Sequence, residues 1–188
     1  MAYRLVVLAS GSGTLAQAIL DARVDLECEI LAVISDNPEA PVLVKAQAAG
    51  IATDVIAVGA SRHEWNLQMI ERVGAEKPDL VVSAGFMRIL PPDFVNRFPT
   101  INIHPALLPN FPGPHAVRDA LAAGIAVTGT TVHWVDDGVD TGPIITQMEV
   151  PVLAGDDEPI LHERIKKVER GLIVATIALI LPTLERHV

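Results

Sequence analysis

A chain of 188 residues with 50% hydrophobic and 20% charged side chains carries enough apolar material for one well-cored domain, 1–188, and is neither fibrous nor disordered. Its formal net charge of −9 argues against a general nucleic-acid binder, which would carry a basic face, yet leaves room for anionic small ligands at helix N-termini or a few placed Arg residues. The single Cys28 cannot close an internal disulfide and no long signal-type apolar region opens the chain, so an intracellular, cytoplasmic protein is expected.

In chain order, the β-branched run YRLVVLA (3–9) predicts a strand, followed by the turn SGSGT and a helix from Thr14 to Arg23. EILAVIS (29–35) reads as a second strand, APVLVKAQAAG (40–50) as a helix closed by Gly50, and TDVIAV (53–58) as a third strand. Ser61 is placed to N-cap the helix RHEWNLQMIERVGA, with Glu64 in the capping-box position. DLVVSAG (79–85) and TINIH (100–104) are strands four and five, and a short helix covers Ala116 to Ala123. AVTGTTVHWVD (126–136) and IITQMEVPV (144–152) form a strand pair across the loop DGVDTGP, before a long helix from Glu158 to Leu181. The uncharged stretch GLIVATIALILPTL (171–184) falls short of the roughly 20 residues that span a bilayer. It therefore reads as a buried helix or a subunit contact, which makes a homodimer admissible. Apolar strands alternating with helices predict an α/β fold: a Rossmann-like, mostly parallel sheet with helices on both faces and a late antiparallel strand element.

In such a sheet, ligands sit beyond the carboxyl ends of the strands. The first of these ends carries ASGSGTLAQA (9–18), where Gly11 and Gly13 let backbone approach a ligand and the next helix offers free N–H groups to a phosphate. Gly11, Gly13 and Ala16 also match G-x-G-x-x-A, and Asp36 follows at a spacing suited to a ribose contact. A nicotinamide-dependent dehydrogenase is thus one rival, and a glycine turn that only packs helix on strand is another.

The fifth strand end reads INIHPALLPNFPG (101–113), with Pro105, Pro109 and Pro112 restricting the backbone around it. Asn102 and His104 are two residues apart, so their side chains project to one side. An amide there can stabilise an oxyanion and an imidazole can move protons near neutral pH. A third group that orients the imidazole is available from Asp136, Asp137 or Asp140. Taken alone, Asn102 and His104 could equally tie loop backbone together.

INIHPALLPNFPGPH followed by GTTVHWVDDGVDTGPII resembles the signature of the folate-dependent formyltransferases. The likeness runs from VVLASGSGT through AGFMRIL to VPVLAGDDEPILHERI, and the SGSG loop points to the branch that formylates glycinamide ribonucleotide. The resemblance implies 10-formyltetrahydrofolate as co-substrate, no metal and no nucleophilic side chain. It implies Asn102, His104 and Asp140 as the catalytic set. It further implies Gly13, Thr14, Leu15, Lys166 and Glu169 as ribonucleotide contacts, and Arg62, Met87, Arg88, Ile89, Leu90 and Asn102 as folate contacts. His115 stands where the family carries a supporting histidine. Leu15 replaces a usual Asn, Lys166 a common Gln, and ERGLIVA lacks the His and Tyr-Pro that normally follow the glutamate. Within the family, a methionyl-tRNA formyltransferase is expected to carry extra C-terminal sequence, and a formyl-folate hydrolase an added regulatory domain.

Overall fold

The computed structural model describes residues 2–185. The apolar runs become strands β1 (Tyr3–Leu8), β2 (Cys28–Ser35), β3 (Thr53–Val55), β4 (Leu80–Ser83), β5 (Thr100–His104), β6 (Val127–Trp134) and β7 (Ile144–Pro151). The intervening segments supply helices α1 (Thr14–Ala22), α2 (Pro41–Ala48), α3 (Arg62–Glu76), α4 (Pro92–Val95), α5 (Ala116–Ala122) and α6 (Glu158–Ile180). Ser61 caps α3 as expected, its Oγ accepting from the Glu64 N–H at 3.2 Å.

One sheet holds all seven strands in the order β3-β2-β1-β4-β5-β6-β7. Pairing is parallel from β3 to β5, and β6 and β7 add antiparallel. The central strands are apolar on both faces because both faces are covered. Leu5, Val7, Leu80, Val82, Ile101 and Ile103 join Ile19, Val42, Ile173 and Ile177 on the side of α1, α2 and α6. Val6, Leu8 and Val81 join Trp65, Met69, Val73 and Phe94 on the side of α3 and α4. With Ile101 and Ile103 committed to the first layer, period two puts Asn102 and His104 on the other face.

Two details differ from expectation. β3 ends at Val55 rather than at residue 58, because the Ile56 carbonyl turns to accept the Trp65 indole N–H at 2.8 Å. The short helix α4 was not anticipated; Pro91 and Pro92 start it, and its purpose is burial of Phe94 edge-on to Phe98, ring centroids 4.9 Å apart. The apolar end of α6 is explained largely by burial, since Leu172, Ile173, Ile177 and Ile180 sit in the α1-side core. No helix among the described residues is long and apolar enough to cross a membrane. Cys28 is buried, and desolvation pushes its thiol up to about 11, which leaves it unreactive.

Gly13 has a packing role in the glycine turn. Its φ is 69°, and a Cβ added there would lie 2.4 Å from Cγ2 of Val42 on α2, whereas nothing lies within 4 Å of such an atom at Gly11. Gly13 thus packs the turn against α2, while Gly11 faces open space. Gly13→Ala combines a left-handed backbone with a clash, so a loss of about 2–3 kcal/mol is expected, read as a lowered denaturation midpoint.

Candidate active site

The carboxyl ends of β1, β4 and β5 converge where the strand order reverses, and the polar cluster lies there. Parallel pairing sets Ser83 beside Asn102, and antiparallel pairing sets His133 directly opposite it. The Ser83 hydroxyl donates to Asn102 Oδ1 at 2.8 Å, which aims the amide nitrogen away from β4. Asn102 Nδ2 lies 3.2 Å from His133 Nε2. His133 Nδ1 donates to the Trp134 carbonyl at 2.8 Å, and its Nε2 lies between Asn102 Nδ2 and Asp140 Oδ1. At least one amide hydrogen of Asn102 is left for a ligand.

Asp140 is the hub of the cluster. Its Oδ2 lies 3.3 Å from His104 Nδ1 and accepts the Gly113 N–H at 2.8 Å, and its Oδ1 lies 3.5 Å from His133 Nε2. Burial pushes this carboxyl up, but His133, the Gly113 N–H and the charge on His104 outweigh it and hold Asp140 below its ordinary 3.8. The carboxylate is therefore ionised at neutral pH. Asp136 serves the loop instead, accepting from Gly138 N at 3.1 Å and Thr141 Oγ1 at 2.7 Å, and Asp137 is exposed. Of the three aspartates open in the sequence, geometry selects Asp140.

His104 is 4% exposed, with Nε2 2.8 Å from the Phe111 carbonyl and Nδ1 facing Asp140. Both ring nitrogens thus face oxygen atoms, one of a carbonyl and one of a carboxylate. The Nε2 proton that a ligand oxygen would need is engaged by Phe111, which itself sits at φ 54°. His115 is exposed at the start of α5.

The glycine turn leads into α1 with Gly13 as a cap that offers no side-chain hydrogen bond, so the first-turn N–H groups have no partner within the helix. Leu15 is 9% exposed and packs into the core, which restricts it to a backbone contact. Lys166, on α6, is half-buried and lies 3.9 Å from Glu163. Glu169, one turn further on, is 4% exposed and within 3.4 Å of the Thr130 hydroxyl, which also donates to the His104 carbonyl at 3.0 Å. Burial raises the Glu169 carboxyl to about 7. A carboxyl raised in the folded state binds its proton more tightly there than in the unfolded chain. Stability therefore falls as pH rises from about 4.5 through about 7, by on the order of 3 kcal/mol. Glu169→Gln should remove that slope, leaving the variant more stable than wild type at pH 8 and similar at pH 4 in denaturant titrations.

The arch after β4 is pinned at both ends by buried Phe86 and Leu90, and it leaves Met87 and Ile89 largely exposed. Met87 N donates to Ser10 Oγ at 2.8 Å, Arg88 Nε donates to Asp36 Oδ2 at 2.6 Å, and Arg62 donates to the Ile89 carbonyl. Arg62 also lies over the Trp65 ring, 4.3 Å from its centroid. It is therefore a fixture of the arch rather than a freely solvated arginine. Asp36, the nicotinamide rival's ribose contact, is buried and paired with Arg88, and that reading is not favoured. Among the described residues, no group of three or more His, Cys, Asp and Glu is arranged to hold a metal ion.

His133, Ser83 and Ser10 are site residues that sequence reasoning missed. His133 carried one usable signal: a histidine between Val132 and Trp134 near the end of a strand, seven residues before Asp140.

The family model described as formyl transferase matches residues 3–177. Phosphoribosylglycinamide formyltransferase of Mycobacterium tuberculosis H37Rv is 54% identical over 179 residues, covering 93% of this chain and 83% of that protein. The Escherichia coli K12 protein of the same name is 42% identical over 174 residues, covering 89% and 82%. The crystal structure of glycinamide ribonucleotide transformylase 1 from Symbiobacterium toebii superposes with a TM-score of 0.93 at 41% identity, over 97% of this chain and 89% of that one. With a match that spans nearly every element and includes the β5 end bearing Asn102 and His104 and the β6–β7 loop bearing Asp140, this chain belongs to the formyl transferase family.

Proposed function

We propose that the protein transfers the formyl group of 10-formyltetrahydrofolate to the amine of glycinamide ribonucleotide, a step of purine biosynthesis, in the cytoplasm and as one formyltransferase unit. The observation that carries this reading is the Asp140 carboxylate set between two imidazoles, beside an Asn102 amide with one hydrogen to spare. The identity to formyltransferases of that specificity gives it direction.

The amine nitrogen attacks the formyl carbon, and the carbonyl electron pair moves onto oxygen. Asn102 Nδ2–H and protonated His104 Nε2–H hold that oxygen; preorganised donors of this kind are worth about 10²–10³ in rate each. Asp140 keeps His104 charged and assists proton transfer. As the carbon–nitrogen bond to the folate breaks, the electron pair returns to N10, which gains a proton while the attacking nitrogen loses one. The Phe111 carbonyl occupies the place on His104 Nε2 that the formyl oxygen takes, so its loop yields when the reactants are bound. The ribonucleotide phosphate meets the first-turn N–H groups at Gly13, Thr14 and Leu15, with Lys166 supplying charge. Glu169 contacts the remainder of that substrate, and the 87–90 backbone with Arg62 and Asn102 binds the folate.

A spectrophotometric assay of folate release, run with and without glycinamide ribonucleotide, tests this. Release that requires the ribonucleotide is expected. Release without it would make the protein a hydrolase, and none in either case would overturn the assignment.

A further inference from the structure

Asp36 is buried, with a side chain 4% exposed, and the fold spends it on a single partner: Arg88, whose own side chain is 43% exposed. A buried carboxylate is costly unless it is paired, and the second oxygen, Oδ1, is buried with no hydrogen-bond partner. A residue kept only to complete the core would not be charged here. Arg88 belongs to the arch 87–89, the one part of the segment between Phe86 and Leu90 that core packing does not hold. Each of its three residues is tied from a different element: Met87 to Ser10 after β1, Arg88 to Asp36 after β2, and Ile89 to Arg62 at the start of α3. Gly85, at φ 77°, turns the chain out of β4 into the arch, and its carbonyl accepts the Ser10 N–H at 3.1 Å. Of the three ties, the Asp36–Arg88 pair is the one between two full charges, and a charge-assisted bond is the strongest kind available to a loop.

We propose that Asp36 is a positioning residue for the folate co-substrate: acting through Arg88, it fixes the backbone of the arch against which the folate binds. This rests on the function proposed above. Asp36 touches neither reacting atoms nor the ribonucleotide turn, so its effect belongs to one substrate only.

The test compares wild type, Asp36→Asn, Arg88→Gln and the double variant, each by steady-state kinetics and by calorimetric titration with 10-formyltetrahydrofolate. Asp36→Asn keeps the shape and loses the charge, and it should raise KM and Kd for the folate about tenfold, with kcat and the ribonucleotide KM unchanged. Arg88→Gln should do the same, and the double variant should be no worse than either single one, as expected for groups acting in series. Full additivity, an equal rise in both KM values, or an unchanged folate Kd would overturn the proposal. If Asp36→Asn does not fold, Arg88→Gln and Arg88→Lys decide it: Lys retains the charge and should recover part of the folate affinity, and a wild-type Kd for Arg88→Gln sinks the idea. If wild type binds folate but does not turn over, the functional assignment fails while the titrations still decide the role of Asp36. If wild type does not bind folate, both fall.

Discussion

Asp140→Asn should lower kcat by about two to three orders of magnitude while folate binding survives. The substitution isolates charge from backbone. Asp140 sits at φ 56°, a conformation that Asn adopts readily, and an Asn side-chain oxygen can still accept the Gly113 N–H. What disappears is the negative charge 3.3 Å from His104 Nδ1 and 3.5 Å from His133 Nε2. Without it, a protonated His104 has one formal counter-charge fewer and the relay loses its acceptor. His104→Ala should fall as far, and the double variant little further, because residues that act as a unit lose their joint contribution once. Wild-type turnover in either single variant would remove the assigned role. The stability supplied by Asp140 is present above its ordinary 3.8 and is lost only as pH falls through its lower folded value, so the rate effect should persist across the neutral range.

Asn102→Ala is the second large effect, with kcat reduced about 10²–10³-fold and the ribonucleotide KM changed little. Three groups lose a partner at once: the Ser83 hydroxyl, His133 Nε2 and the formyl oxygen of the transition state. Because the oxygen becomes charged only as the tetrahedral carbon forms, its loss registers in kcat and kcat/KM together. A rise confined to the folate KM would leave Asn102 with its folate contact alone and remove its role at the oxyanion. Ser83→Ala separates the contributions, since it frees the amide to rotate without deleting the donor, and it should give a smaller loss than Asn102→Ala.

Much of the site was legible because it depends on local periodicity. The apolar–polar alternation of INIH placed Asn102 and His104 on one side of a strand before any packing was known, and Ile101 and Ile103 do fill the α1-side core. Chain alternation likewise gave a parallel sheet with a late antiparallel pair. Residue spacing left three aspartates of one loop open, and only the resemblance implied Asp140. The loop's path supplies the physical reason, with Asp136 consumed by Gly138 and Thr141 while Asp140 reaches back to Gly113.

The sequence by itself determined the order and type of nearly every element, the placing of polar residues at the end of β5 and the family resemblance, because these follow from side-chain period and contiguous motifs. Tertiary structure alone decided the rest. His133 enters the site through antiparallel register, which pairs positions 31 residues apart. The glycine turn divides its work through contact with α2, Gly13 packing on Val42 while Gly11 stays open. Asp36, at a spacing that fits a nucleotide ribose, spends its charge on Arg88, 52 residues away. Sequence spacing records neighbours along the chain, whereas a charge or a hydrogen bond answers to whatever the fold brings within a few ångströms.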